Sequence, residues 1–325
     1  MGAVPFDFAV IGSTPLALLL AGLLSGRHGR KVCIVGESYA AHRLPRDFDL
    51  SVAPMTRPET WALLASSAPE TVKLIAKVAG KRVYERLDPL FVAETTAGRD
   101  ALGHIRNMAV GFGHAVEPQM GKTLPDGAIG SRFRDAIFLH RPALAAALWR
   151  WLQACGVHRV TAEAAARAEF TVVVDDAAAL ELGAQPLRPA PAINLATGAV
   201  ERLPARLMAF LDRGLVLRQG HDGGILAIVN GVGEDAAGQL GSVVQGPARR
   251  TGEAAFVRAS TADGAPVIGL VSPNTFVIAQ LGLAGAFLAP PIARFLAGTA
   301  SAEEAEWIEA RGPLANRAAV AEFAL

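Results

Sequence analysis

The sequence predicts an α/β protein in which helices cover a parallel sheet. Two observations support this. Residues 6–37 contain a strand, a tight turn, a helix and a second strand, which is the spacing of a βαβ unit. Phe170 to Val174 is a short run without polar alternation, as is typical of strands buried in parallel sheets.

The elements of the opening βαβ unit follow directly from residue pattern. Phe6 to Ile11 is apolar apart from Asp7 and reads as a short buried strand that ends before Gly12. Leu16 to Leu24 is an apolar run preceded by Pro15, a residue tolerated in the first turn of a helix. Lys31 to Val35 is long enough only for a strand. This order is the opening of a dinucleotide-binding fold.

The turn of this unit matches the dinucleotide fingerprint only in part. The pattern G-x-G-x-x-G requires glycines where the chain has Gly12, Thr14 and Ala17. Thr14 places a side chain where backbone normally approaches a pyrophosphate, while the helix N-terminus still attracts phosphate. A ribose-binding acid is expected one or two residues before Glu37. The candidate nucleotide contacts are Gly12, Ser13, Thr14, Pro15, Ala17 and Glu37, and the alternative is a structural βαβ unit.

Length and composition exclude several classes of protein. The 325 residues suffice for one large domain or two closely packed ones, and the net charge of +1 argues against nucleic acid as a partner. The two cysteines, Cys33 and Cys155, form neither a disulfide framework nor a metal cluster and are expected to be core residues. A reducing, cytoplasmic location suits them.

A membrane span near the N-terminus is the rival interpretation of the apolar run. Residues 8–26 carry no charge and approach the length of a span. A signal peptide has positive charge before its apolar run, whereas here Asp7 precedes it and Arg27, Arg30 and Lys31 follow. We therefore expect no membrane span.

The middle of the chain predicts alternating elements of less specific character. Residues 38–51 read as a loop in which Arg43 and Arg46 are candidates to meet phosphate or a substrate acid, the alternative being a solvated loop. Pro69 is expected to split the helical pattern of residues 58–78 into two helices. Further helices are predicted at 101–112 and 142–154, a strand at 90–93, a Pro-rich connection at 185–191, and a hairpin joining 215–217 to 225–229.

Asp175 and Asp176 directly follow the strand that begins at Phe170. Paired carboxylates are compatible with acid–base chemistry. At the end of a strand, however, such residues more often cap a helix or turn the chain.

The most specific pattern lies near the C-terminus. A turn at residues 262–264 leads into a short extended piece, then a strand at 276–279, a glycine-bearing loop at 280–284 and a helix at 285–296. This segment resembles the D-amino-acid oxidase and glycine oxidase family of FAD-dependent oxidoreductases, in which an Arg precedes T-x-D-G-x-P-x-I-G and a Gly-rich loop leads into an L-A-P helix. The matching residues are Arg258, Thr261, Asp263, Gly264, Pro266, Ile268, Gly269, Gly282, Gly285, Leu288, Ala289 and Pro290.

The resemblance implies a Rossmann-like FAD-binding domain with an inserted, shortened α+β substrate domain. It assigns residues 1–80, 141–185 and 256–325 to the first domain and residues 81–140 and 186–255 to the second. It places the ADP part of non-covalent FAD at the first turn and the flavin beside a helix N-terminus. The implied flavin contacts are Gly282, Leu283, Ala284, Gly285, Ala286 and Phe287, and Arg43 joins the list as a phosphate contact. Arg258 is implied to pair with a substrate carboxylate, the alternative being a surface ion pair.

Three departures from the family pattern concern the cofactor. Thr14 replaces a glycine, Gln280-Leu281 replaces a Gly-His pair, and Asp175-Asp176 stands where an Ala-Ala-Gly turn is usual. The main hypothesis is an FAD-dependent oxidoreductase acting on an amino acid or amine. The alternatives are a degenerate or partner-dependent subunit of the same fold with weak or no FAD binding, and an NAD(P)-dependent dehydrogenase, which leaves the C-terminal segment unexplained.

Overall fold

The computed structural model describes residues 6–36, 44–121, 124–231, 233–244 and 248–322, so the predicted contacts Glu37 and Arg43 lie outside the described residues. The strands are β1 (Phe8–Ile11), β2 (Val32–Val35), β3 (Tyr84–Leu87), β4 (Leu90–Ala93), β5 (Val116–Gln119), β6 (Ile129–Phe133), β7 (Ala136–Leu139), β8 (His158–Arg159), β9 (Phe170–Val173), β10 (Arg188–Ala199), β11 (Leu207–Phe210), β12 (Leu215–Gln219), β13 (Gly224–Asn230), β14 (Arg250–Ser260), β15 (Val267–Ser272) and β16 (Thr275–Ala279). The α-helices are α1 (Pro15–Gly26), α2 (Pro58–Ala79), α3 (Thr96–Gly111), α4 (Arg141–Ala154), α5 (Ala162–Ala165), α6 (Asp176–Glu181), α7 (Glu234–Gly241), α8 (Ala289–Ala297) and α9 (Ala302–Glu309), with 3₁₀ turns at Lys81–Val83, Gly282–Leu288 and Arg317–Ala319.

The predicted βαβ unit forms the centre of a six-stranded sheet with the order β15-β16-β9-β1-β2-β8. Strand β1 runs parallel to both β2 and β9, and β16 runs parallel to β9. Phe8 is opposite Val32 on one side and Phe170 on the other. The carboxyl ends of β1, β9 and β16 therefore meet at one edge of the sheet, and the α/β prediction is confirmed.

Helix α1 is buried along most of its length because it packs between this sheet and the helices α4 and α8. Its leucine-rich sequence suits an environment that is apolar on all sides. At Gly22 the approach of α4 is so close that an added Cβ would lie 2.2 Å from the Trp151 ring. The absence of a side chain at Gly22 thus sets the separation of the two helices.

A second sheet has eight strands in the order β14-β10-β13-β12-β11-β4-β6-β5. It contains the predicted hairpin, β12 and β13, which pair antiparallel. The prediction of a connection without regular structure at 185–191 is partly wrong, because β10 already begins at Arg188. Pro189 and Pro191 are tolerated there because pairing with β13 begins only at Ala192, so this end of β10 has a neighbour on one side only. The expected domain boundary at residue 255/256 falls inside β14.

The loop predicted at residues 38–51 is described from residue 44 onward, and its end belongs to a buried connection. Residues 48–55 are buried throughout, although Arg46 just before them is exposed. Leu50 donates its N–H to the carbonyl of Leu283 (2.7 Å), and Ser51 donates to that of Ile137 (2.9 Å). The apolar residues Phe48, Leu50 and Val52 belong to the main core, which sequence periodicity could not indicate over so short a stretch.

Two helix predictions need correction. Pro69 does not split the helix of residues 58–78, because α2 continues through it with its apolar face buried around Trp61 and Ile75. Proline removes one backbone hydrogen bond, and burial of this face compensates. The helix predicted from Gly285 begins instead as the 3₁₀ turn Gly282–Leu288, and the α-helix starts at Ala289.

The C-terminal helix α9 docks on its own chain. Ser301 and Glu304 form a reciprocal capping box at its start. Trp307 is buried and donates its indole N–H to Thr60 of α2 (3.1 Å). In the described part of the chain no individual helix has the length and apolarity to cross a membrane, and only residues 282–297 and 302–309, bent by 97°, pass that test when joined.

The Gly22 contact gives a stability prediction. Gly22→Ala should destabilise the protein by about 1–3 kcal/mol, because the clash with the rigid Trp151 ring outweighs the gain in helix propensity. Gly103→Ala is the matched control, since Gly103 lies inside α3 with nothing near its added Cβ, and it should stabilise by up to about 1 kcal/mol. Denaturant unfolding measures both, and a Gly22 variant as stable as the control would contradict this packing.

Candidate functional site

Two adjoining cavities lie at the carboxyl edge of the six-stranded sheet. The smaller, of about 130 Å³, is lined by residues from the turns that follow three parallel strands: Thr14 after β1, Val174 after β9, and Gln280 after β16. The larger, of about 300 Å³, shares five lining residues with it: Arg258, Ala259, Gln280, Leu281 and Gly282. A crevice outside the carboxyl ends of parallel strands is where open α/β sheets bind ligands.

The turn after β1 requires glycine at its first position. Gly12 has φ +148°, a conformation that residues with side chains rarely adopt. A Cβ on Gly12 would lie 3.1 Å from that of Ala17 and 3.4 Å from Val174. Gly12, Pro15 and Ala17 are buried at this turn, whereas Ser13 is exposed and Thr14 lines the smaller cavity.

Thr14 changes the hydrogen-bonding capacity of the α1 N-terminus. Its hydroxyl accepts the N–H of Ala17 (3.2 Å), and Pro15 has no N–H. Within the described residues, the amides of Ser13, Thr14 and Leu16 have no hydrogen-bond partner. This turn thus retains three backbone donors for an anion, although Thr14 occupies one that a glycine would have left free.

The loop after β16 combines backbone strain with unpaired polar atoms. Gln280 has φ +59° although it is not glycine, and its side-chain Nε2 donates to the carbonyl of Gly264 (3.2 Å). Its Oε1 is buried and has no partner among the described residues. The 3₁₀ turn that follows has no side-chain cap, and the amides of Gly282 and Leu283 are unpaired within the described chain. A ligand with both donors and acceptors would satisfy these atoms.

The predicted flavin contacts divide by position. Leu283 and Ala284 line the larger cavity, and Gly285 and Ala286 line the smaller one. Phe287 lines neither, because it is fully buried and its carbonyl accepts the hydroxyl of Thr71 (3.1 Å).

The smaller cavity is lined by both acids and bases, which are Arg46, Asp47, Asp49, Arg141, Asp175, Asp176 and Arg258. Asp49 is buried and pairs with Arg141 at 2.6 Å. Burial raises the pKa of Asp49, and Arg141 opposes that rise. Sequence reasoning did not find this pair, because its members lie 92 residues apart and no local pattern links them.

The adjacent acids have different roles. Asp175 is the N-cap of α6 and accepts the N–H of Ala178 (3.0 Å), as the capping interpretation predicted. Asp176 accepts the N–H of Ala259 in β14 (3.0 Å) and so joins α6 to the strand that carries Arg258. Burial raises the pKa of Asp176 to about 6, against the opposing effects of the Ala259 N–H and the charge of Arg258.

Arg258 lies where the two cavities meet. Its Nη1 is 3.4 Å from Oδ1 of Asn230, a long contact to a neutral amide. Among the described residues no carboxylate lies within ion-pair distance of it. In the described part of the chain, Arg258 therefore does not form the surface ion pair that was the alternative to carboxylate binding.

The larger cavity has a wall that the sequence did not indicate. Thr60 of α2, Trp307 of α9 and Glu322 near the C-terminus contribute to it, together with apolar residues that include Met55, Leu281 and Leu288. These side chains come from distant parts of the chain. Asp263, part of the T-x-D-G segment, is held by two hydrogen bonds from Arg317 (2.7 and 2.8 Å), which fixes the C-terminal segment beside the cavity.

Solved structures share this architecture. A glycine oxidase from Bacillus cereus ATCC 14579 superposes with a TM-score of 0.69 at 15% identity, over 98% of this chain and 99% of that one. The L-proline dehydrogenase of P. horikoshii superposes with a TM-score of 0.73 at 14% identity, over 95% of this chain and 97% of that one. The iminodiacetate oxidase of Chelativorans sp. BNC1 superposes with a TM-score of 0.63 at 19% identity, over 90% of this chain and 94% of that one.

The chain has the fold of the D-amino-acid oxidase and glycine oxidase enzymes. The resemblance expected from residues 258–290 is thereby confirmed at the level of the fold. No protein-family model matches the sequence, and no curated protein matches it.

The pKa of Asp176 leads to a prediction about stability and pH. Because its folded-state pKa is raised from 3.8 to about 6, ionisation of Asp176 opposes folding above that pH and has no effect below about pH 4. Asp176→Asn keeps an acceptor for Ala259 and should stabilise the protein at pH 8 by at most about 3 kcal/mol. At pH 4 the variant and the wild type should unfold alike. An equal difference at both pH values in denaturant unfolding would contradict this account.

Proposed function

We propose that the protein is an FAD-dependent oxidoreductase that oxidises an amino acid or an amine. The observation that carries this proposal is Arg258, a guanidinium without an ion pair in the described structure, placed where the two cavities join. An unpaired guanidinium beside a cavity is suited to bind a carboxylate in bidentate geometry. The shared fold and the amino-acid-oxidising neighbours support the reaction class.

The residues that line the crevice suit a non-covalent flavin dinucleotide. The unpaired amides of Ser13, Thr14 and Leu16 would hold the pyrophosphate at the start of α1. The buried Oε1 of Gln280 would accept a hydrogen bond, and the unpaired amides of Gly282 and Leu283 would donate to carbonyl oxygens of the ring. When bound, FAD supplies the acceptor for a hydride from the carbon next to the substrate nitrogen.

The chain's own contribution is binding and orientation. Arg258 would fix the substrate carboxylate, and the apolar lining from Met55, Leu281 and Leu288 would exclude water. The proposal assigns residues 1–80, 141–185 and 256–325 to cofactor binding and the intervening residues to the substrate domain. The strands of the six-stranded sheet all fall within the first set.

The direct test of this reaction class is anaerobic mixing of the purified, FAD-loaded protein with amino acids and amines in turn. We expect at least one of them to bleach the flavin absorbance, because the flavin takes up its electrons. A flavin that none of a broad set of amino acids and amines reduces would contradict the proposal.

Gly12 gives a prediction about the cofactor site. Gly12→Ala should lower FAD affinity at least about tenfold, because a Cβ at φ +148° shifts the turn that presents the amides of Ser13 and Thr14. Gly103→Ala is a control on an open helix surface and should leave affinity unchanged. Flavin fluorescence titration measures both, and equal affinities would remove the proposed placement of the pyrophosphate.

Arg258 gives a prediction about the substrate. Arg258→Ala should raise KM about 30-fold or more for an amino acid and less than about twofold for the amine that lacks its carboxylate. Arg250→Ala, on the same strand but paired with Glu253 on the surface, should change neither value. Similar increases for both substrates would show that Arg258 does not bind the carboxylate.

Two observations favour the second candidate, a degenerate or partner-dependent subunit with weak or no FAD binding. Thr14 takes up the Ala17 amide, and Asp175 and Asp176 place acidic side chains beside the expected phosphates. Titration of the protein with FAD separates the candidates. A protein that fails to bind FAD alone and gains activity when co-expressed with a partner would support this candidate over the first.

A further inference from the structure

The larger cavity contains a second charged side chain, Glu322. Its carboxylate accepts the N–H of Thr56 (2.6 Å), the hydroxyl of Thr56 (2.7 Å) and the hydroxyl of Thr60 (3.2 Å). Its own N–H donates to the carbonyl of Asp263 (2.8 Å). Glu322 is therefore held in place on both its backbone and its side chain.

The hydrogen bond from Thr60 has a fixed direction. The Thr60 oxygen accepts from the indole of Trp307 (3.1 Å) and from Nη2 of Arg311 (2.9 Å). Since both acceptor positions of the hydroxyl are taken, its single proton is left for Glu322. The carboxylate is therefore oriented by a buried network.

The charge of Glu322 has no ion-pair partner in the described structure. No described Lys, Arg or His lies within 4.0 Å of it. Arg311, which interacts with it electrostatically, uses its own donors on Glu59, Thr60 and the Trp307 carbonyl. A carboxylate with three donors still has free lone pairs, so Glu322 can accept from a ligand in the cavity.

We propose that Glu322 binds a positively charged group of the substrate, so that the enzyme prefers amino acids that carry a second cation, an ammonium or guanidinium, on the side chain. This rests on the proposed function, which assigns the carboxylate of the substrate to Arg258. The two charges lining one cavity are complementary to the two ends of such a molecule.

The α-amino group is not the cation that Glu322 binds. Hydride transfer from the adjacent carbon requires the lone pair of the neutral amine, whereas a neighbouring carboxylate favours the charged ammonium. A second, non-reacting cation has no such requirement.

A purely structural role for Glu322 is the alternative to be tested. Thr56 and Thr60 lie at the start of α2, whose N-cap Arg57 provides no side-chain cap, so Glu322 also stabilises this helix end. Glu322→Gln preserves the acceptor oxygen and removes the charge. It separates the two roles.

The experiment is calorimetric titration of the full-length protein with lysine and with norleucine, each as both enantiomers. The two share the same four side-chain carbons and differ only in the ammonium group that lysine carries on the last of them. Wild type should bind lysine at least about tenfold more tightly, and Glu322→Gln should abolish that preference while changing norleucine affinity less than about twofold. Glu309→Gln, an exposed glutamate of α9, is the matched control and should behave as wild type.

Two results would overturn the proposal: a wild type that binds norleucine as tightly as lysine, or a Glu322→Gln variant that keeps the preference. The wild-type comparison needs no variant, so poor folding of Glu322→Gln does not block the test. The titration is carried out anaerobically with any bound flavin reduced chemically beforehand, so that no hydride is transferred and the heat reports binding alone. A protein that prefers lysine through Glu322 and whose flavin is never reduced by an amino acid or amine would refute the proposed oxidation while leaving the assignment of Glu322 intact.

Discussion

The structure depends on the close contact between β1 and α1 at Gly12. A side chain at Gly12 would contact Ala17 of α1 and Val174 after β9. The absence of a Cβ at Gly12 therefore allows the helix and the end of β9 to pack closely against this turn. Because β1, β9 and β16 are parallel, their carboxyl ends lie at one edge, and the turn at Gly12 adds to this edge backbone amides that have no partner in the described chain. The candidate site exists because the chain leaves this edge through short turns that do not fill it.

Charge is the second constraint on the crevice. Asp49 is neutralised by Arg141 and Asp175 is used as a helix cap, whereas Asp176 retains a raised pKa beside Arg258. A phosphate-bearing cofactor at this edge would therefore meet acidic and basic side chains in nearly equal number, rather than a purely positive surface. The arginines at this edge favour FAD binding, whereas the aspartates favour the second candidate, a subunit that binds FAD weakly or not at all.

Local sequence signals predicted the elements that are governed by local physics. The βαβ unit, the hairpin β12–β13 and the capping by Asp175 follow from periodicity and turn chemistry over a few residues. The resemblance over residues 258–290 supplied the fold family. The uninterrupted helix through Pro69 was mispredicted, because tertiary burial overrides local preference there. The loop predicted at 38–51 has no helix or strand in its described residues, but the burial of residues 48–51 was not predicted.

The charged residues of the site were the hardest to predict. Arg258 was found through a motif, but Asp49 with Arg141, and Glu322 with Thr60, meet only when distant segments fold together. No spacing rule in a single sequence links such residues. The distances and the burial in the folded chain are what indicate the roles of these residues.

The visible absorption spectrum of the purified protein, with any released cofactor identified by mass, tests the central claim most directly. The account predicts a flavin spectrum and FAD at close to one molecule per chain. A colourless protein that takes up no added FAD would contradict it.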